Sequence, residues 1–113
     1  MADHIKVAAA TGTWIVRADG AILGETKNAL EITEGTYPAV IYFPRNDIAT
    51  AFLDPSDTTS HCPWKGNASY YSIQTNSALI TDAAWSYEQP ITDMKAITGY
   101  LAFYSDKVTV QQI

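Results

Sequence analysis

The sequence predicts a small, curled, mainly β domain with two short helical turns. Three observations predict it. A chain of 113 residues is the size of one domain. With 47% hydrophobic and 17% charged residues it can bury a core and is not disordered. Seven or eight short apolar runs recur at regular spacing, separated by turn residues, which is the pattern of an all-β fold.

Residues 1–11 read as a loose N-terminal tail. Trp14, Val16 and Ala18 then alternate with Thr13, Ile15 and Arg17, and Asp19-Gly20 leads into Ala21-Ile22-Leu23-Gly24. Asp-Gly between alternating runs is a strong hairpin signal. Leu30 and Ile32 alternate with Glu31 and Thr33, a strand with one solvated face, broken at Gly35. Val40-Ile41-Tyr42-Phe43 is apolar on both faces, which predicts a central strand closed by Pro44. Asn46 can cap a short helix that carries Ile48, Ala51 and Phe52 on one side, ended by Asp54-Pro55.

Residues 54–67 show no period and read as one long loop, a place where function concentrates. Strands are expected at 68–75, 78–81 and 84–88, with a turn at Asn76-Ser77. Thr92 can cap a second short helix, with Asp93 in its first turn, Met94 and Ile97 as its buried stripe and Gly99 past its end. A last pair of strands, 100–104 and 107–111, is expected to join at Ser105-Asp106. The whole chain, 1–113, is one domain with no repeat and no linker.

Composition excludes several functions. The lone Cys62 makes no internal disulfide and no structural zinc site, so no metal and no cofactor is expected. The longest apolar runs are five residues, far below the ~20 of a membrane span, and the start has too short an apolar stretch for a signal peptide. These features predict a cytoplasmic protein with a reduced thiol and no membrane partner. Net charge is −5 and no segment is basic, so no nucleic-acid partner is expected.

The chemistry-bearing residues gather in and after the 54–67 segment. Cys62 is the candidate nucleophile or redox centre. Its neighbour His61 is a poor base, because adjacent side chains of an extended segment point to opposite sides. Lys65 could bring a positive charge to the thiol if the segment folds back. Pro55, Thr59 and Cys62 also fit Pro-x-x-x-Thr-x-x-Cys, the pattern around a peroxiredoxin cysteine, but no arginine follows Arg45 to hold a thiolate there. Arg45 and Asp47 bracket the first helix. Arg45 could grip a carboxylate or phosphate, while Asp47 suits a helix start. Asp57, Thr58 and Thr59 could bond their own backbone. Among the aromatics, Trp64, Tyr70, Tyr71, Trp85 and Tyr87 are candidates for a core or for a wall that stacks a flat or cationic ligand. Trp85 and Tyr87, two apart, share one face of a strand.

Four blocks in order resemble one known family. They are Tyr42-Phe43-Pro44-Arg45-Asn46-Asp47, the segment Ser56 to Gly66 with its Cys-Pro-Trp-Lys-Gly, Asp82-Ala83-Ala84-Trp85-Ser86-Tyr87, and Gly99-Tyr100-Leu101-Ala102-Phe103-Tyr104. The chain is similar in these to domain-of-unknown-function family 427, small bacterial and fungal proteins, from about Trp14 to Val110. The resemblance implies a tent-like, mostly-β fold similar to that of B-type methionine sulfoxide reductases. The paired Cys-x-x-Cys motifs of those enzymes are missing here, so zinc does not carry over. The family has also been labelled nucleotidyltransferase-like, yet this sequence has no glycine-rich phosphate loop and no Asp-x-Asp. Arg45, Asp47, Cys62, Lys65, Trp85 and Tyr87 are the matching positions at which a site would sit, and no catalytic role comes with them.

The leading functional reading is a binding module. A pocket between residues 54–67 and the aromatic strands would take a small, anionic ligand, held by Arg45, Asp47, Asp57, Lys65, Trp64, Tyr71, Trp85 and Tyr87. The alternatives are an enzyme acting through Cys62 and a structural protein, self-associating into a homo-oligomer through an exposed strand edge.

Overall fold

The computed structural model describes residues 4–113, and its regular structure is mostly antiparallel strand. In chain order they are β1 (Ile5–Ala9), β2 (Trp14–Ala18), β3 (Ala21–Thr26), β4 (Leu30–Glu34), β5 (Val40–Tyr42), β6 (Leu53–Cys62), β7 (Gly66–Gln74), β8 (Leu79–Ser86), β9 (Leu101–Phe103) and β10 (Thr109–Gln112). They form three sheets, ordered β1-β4-β5, β10-β2-β3 and β6-β7-β8-β9. The mainly β expectation is met. Among the described residues no helix is long and apolar enough to cross a membrane.

Two of the three sheets are continuous. Phe43 donates its amide to the Leu101 carbonyl (2.8 Å) and accepts from the Leu101 amide (2.9 Å), an antiparallel bridge just past the end of β5. That bridge extends the strand order to β1-β4-β5-β9-β8-β7-β6, a single curled surface in which β5 is internal, as its two apolar faces predict. Alternation along β5 and β9 divides the interior in two. Phe43, Leu101 and Phe103 join Val16, Ala18 and Leu23 of the β10-β2-β3 sheet in one core. Tyr42 and Ala102 point the other way, to a second core with Ile5, Ile32, Tyr87, Met94 and Ile97.

The β2–β3 hairpin forms as Asp19-Gly20 predicts. Both residues have positive φ (49° and 80°), the requirement of the tight turn that matches strand twist. Asp19 also reaches across the fold, accepting from the Thr75 hydroxyl (2.9 Å) and from Ser77, so it ties this turn to the β7–β8 turn.

Several sequence expectations are corrected. Of the expected tail, residues 1–3 lie outside the described residues, but β1 pairs with β4 from Ile5↔Glu34 to Ala9↔Leu30, and Ile5 is buried. The Ala-rich stretch hid an edge strand because only one of its side chains is deeply buried. The 54–67 segment is not a loop: β6 pairs with β7 from Leu53↔Ile73 to Cys62↔Gly66, with a bulge between Pro55 and Thr59. β6 lies at the edge of its sheet, where proline is tolerated. Most of its side chains are exposed, so it carries no apolar alternation to read.

The expected first helix is two 3-10 turns, Arg45–Asp47 and Thr50–Phe52, with no side-chain cap from Asn46. The second is a 3-10 segment, Thr92–Ile97, that buries Met94 and Ile97 as expected, but its N-cap is Ile91 and Thr92 caps nothing. Residues 78–81 and 84–88 merge into β8, which passes through Asp82 at φ 50°. β9 and β10 do not pair. β9 joins β8, and β10 crosses to β2.

Gly24 shows how closely these layers approach. A Cβ there would fall 2.5 Å from the Asp47 carbonyl oxygen and 2.5 Å from Ile48 Cδ1, at the Gly24↔Ile48 bridge. Gly24→Ala should therefore lose about 1–3 kcal/mol in urea unfolding, the usual cost of overpacking. An unchanged midpoint would show that β3 and the 45–48 turn are not in contact.

Candidate functional site

The curl of the joined sheets leaves a cleft of about 340 Å³ on the side of the second core. β4 supplies Ile32 and Glu34, β5 supplies Val40 and Tyr42, and the intervening turn supplies Tyr37 and Pro38. Opposite stand Tyr70 of β7, Trp85 of β8, and Tyr87 and Tyr104 just past β8 and β9, with Lys65 from the β6–β7 turn. Six of these eleven residues are aromatic, so the cleft presents ring faces on most sides.

Register explains the clustering. Tyr70 is opposite Trp85, and Trp85 is opposite Ala102, whose small side chain leaves room beside the indole. Tyr87 lies two residues beyond Trp85 and faces the same way. The Trp85 Nε1–H donates to the Tyr42 hydroxyl (3.1 Å), and the two rings meet edge to face at 6.2 Å. The Tyr104 ring lies 4.6 Å from Trp85 and stacks on Tyr70 at 6.4 Å. The Tyr104 hydroxyl donates to the Tyr70 hydroxyl (3.3 Å), which also bonds Ser60 (2.9 Å). The wall is thus held by its own hydrogen bonds.

Lys65 is buried in this wall at 9% exposure. Its backbone is fixed on both sides: its amide donates to the Cys62 carbonyl and its carbonyl accepts from the Ile91 amide. Its ammonium pairs with Glu34 at 2.6 Å and lies 6.0 Å from the centre of the Tyr87 ring. An ammonium out of water needs such partners. The pair leaves the cleft wall with no net charge.

Three of the cleft tyrosines, Tyr42, Tyr87 and Tyr104, are held protonated. Burial pushes Tyr42 well above its usual range, outweighing the bond from Trp85. Burial, then nearby groups that are anionic at high pH, raises Tyr87 to about 12. Tyr104 is raised by burial and by its bond to Tyr70. At neutral pH the cleft offers neutral O–H groups, which can donate to a ligand.

The sequence-derived site residues divide into two groups. Lys65, Trp85 and Tyr87 converge on the cleft. Cys62 sits beside it, half-buried, with Sγ 3.8 Å from the Lys65 ammonium. His61 turns away and bonds Asn67 through Nδ1 (2.7 Å), so it is no base for the thiol. The others lie elsewhere. Arg45 bonds the Gly99 carbonyl (3.0 Å), Ser86 (3.3 Å) and Glu88 (3.1 Å), and its guanidinium covers the Tyr71 ring at 5.5 Å. Tyr71 donates to the same Glu88 (2.8 Å). Tyr71 and Ser86 follow Tyr70 and Trp85 by one residue, so the period of two puts this network on the other face of the sheet. Asp47 accepts from Thr26 (2.7 Å), Asp57 is exposed on β6, and Trp64 is exposed with its ring edge-on to His4.

Sequence reasoning missed Glu34, Tyr37, Tyr42 and Tyr104 as parts of a site. Tyr42 and Tyr104 stood in the blocks that carry the family resemblance but had no place in the expected site, because that place depends on β5 and β9 lying side by side. Glu34 had one available signal: it ends a strand with one solvated face, the position from which a carboxylate can reach a buried cation.

Over residues 6–112 the chain matches the family described as NTP_transf_9, Domain of unknown function (DUF427). No curated protein matches it.

Alkaline titration tests the electrostatics of the cleft. The tyrosinate absorbance should show Tyr42, Tyr87 and Tyr104 ionising above the usual 10.0. Because the folded values lie above the unfolded one, stability is whole below about pH 10 and falls as pH rises toward 12. A flat unfolding free energy across that window would contradict the burial of these hydroxyls.

Proposed function

The chain belongs to the Domain of unknown function (DUF427) family, and we propose that it is a cytoplasmic small-molecule-binding module whose site is the tyrosine-lined cleft. One observation carries this reading: six aromatic rings surround a cavity of about 340 Å³ with a matched Lys65–Glu34 pair in its wall. A concave site lined by rings, with a few convergent polar groups, is the usual form of a small-molecule site. Ring faces favour a flat molecule. Protonated tyrosine hydroxyls favour a hydrogen-bond acceptor on it.

The anionic preference expected from Arg45 and Lys65 gives way to a neutral one. Glu34 already balances Lys65, and Arg45 is engaged with Glu88 on the other face. An anion would have to compete with a carboxylate at 2.6 Å for a buried ammonium.

A thermal-shift screen of flat, uncharged phenols and heterocycles should find compounds that stabilise the protein by binding its folded state. Tyr87→Phe, which removes one hydroxyl and keeps the ring, should weaken the best of them several-fold, as expected for a hydrogen bond worth about 0.5–1.5 kcal/mol. Arg45→Ala should leave the ligand-induced shift as it was. A ligand whose shift is lost with Arg45→Ala and kept with Tyr87→Phe and Trp85→Ala would move the site to the other face.

A further inference from the structure

Beside the tyrosine cleft lies a second cavity of about 520 Å³. The two share Tyr37, Pro38, Val40, Trp85 and Tyr104, so they adjoin, and the groove they would form runs from the second-core face, where Tyr42 lies, to the first-core face, where Ile41 and Phe103 lie. Their chemistry differs. Past the shared residues the second compartment is walled by Trp14, Ile41, Phe103 and Val110, where β2 and β10 meet β5 and β9. Apart from the shared tyrosines and Trp85, its polar side chains are Glu31 and Ser105.

We propose that the groove binds an amphipathic small molecule, with a flat, uncharged, acceptor-bearing head among the tyrosines and an aliphatic chain in the apolar compartment. This rests on the small-molecule reading above and names the class of ligand. The orientation follows from charge. Glu31 borders the apolar compartment and repels a chain that ends in an anion, so a polar group belongs at the other end. Trp85 stands at the junction, half-buried, and contributes to both compartments. Tyr37 lines both as well and is 75% exposed. A ligand that spans the groove covers this ring, and burial of exposed aromatic surface favours binding.

Alkyl 4-hydroxybenzoates test the inference, because methyl to butyl esters keep one flat, uncharged head and lengthen the chain. In calorimetric titrations of the whole chain, Kd should fall about fourfold per methylene, the equivalent of ~0.8 kcal/mol for each CH₂ buried. In Ala39→Asp, a change at an exposed position that lines the apolar compartment alone, the gain with chain length should vanish. Methyl ester binding with no gain from longer chains would overturn the two-compartment proposal and leave the cleft reading standing. The same would follow if Ala39→Asp kept the full gain. Failure of every ester to bind would overturn both.

Discussion

The structure depends on two hydrogen bonds between Phe43 and Leu101. They join a three-stranded and a four-stranded sheet whose members are otherwise paired only within themselves. Without that seam, β4 and β5 would carry Glu34 and Tyr42 on one sheet while β7 and β8 carried Tyr70 and Trp85 on another. With it, the surface curls and the rings face one another across a cleft. The same alternation that turns Phe43 and Leu101 into one core turns Tyr42 and Ala102 toward the other, so the seam both builds the interior and sets the wall of the site. The contact of Tyr42 with Trp85 then crosses the seam as a hydrogen bond.

Burial decides the chemistry of the cleft. The hydroxyls of Tyr42 and Tyr87 are kept protonated, and the Lys65 ammonium is held against a carboxylate. The result is a surface of ring faces and neutral donors with little net field. For the proposed binding role, such a surface favours shape and hydrogen bonding over charge. Cys62 lies 3.8 Å from the Lys65 ammonium of this pair, while His61 bonds Asn67.

What the sequence made legible were features encoded within a few residues. The Asp19-Gly20 turn, the one-sided strand at Leu30–Glu34, the two apolar faces of β5 and the buried Met94 and Ile97 all follow from local pattern. Trp85, Tyr87 and Lys65, which the fold brings to one cleft, were singled out because they lie in compact motifs. β6 escaped because an edge strand held by main-chain bonds needs no apolar face, and its Ser, Thr and Asp residues look like a loop. β1 escaped for a similar reason. β9 and β10 were paired wrongly because adjacency in sequence favours a hairpin, whereas Val110 pairs with Val16 in another sheet. Arg45 was drawn into the site by its motif, and only the parity of Tyr71 and Ser86 moved it to the far face. Register and long-range pairing, invisible in a single sequence, decide each of these cases.

The central claim is that the seam preforms the cleft. Hydrogen exchange at the Phe43 and Leu101 amides measures it directly, since these protons sit in the two joining bonds. The account predicts that both exchange only on global unfolding, as slowly as core amides such as that of Ile73. Exchange of either at the rate of the exposed turns, with the core amides still protected, would mean that the two sheets part in the native state and that the cleft is not preformed.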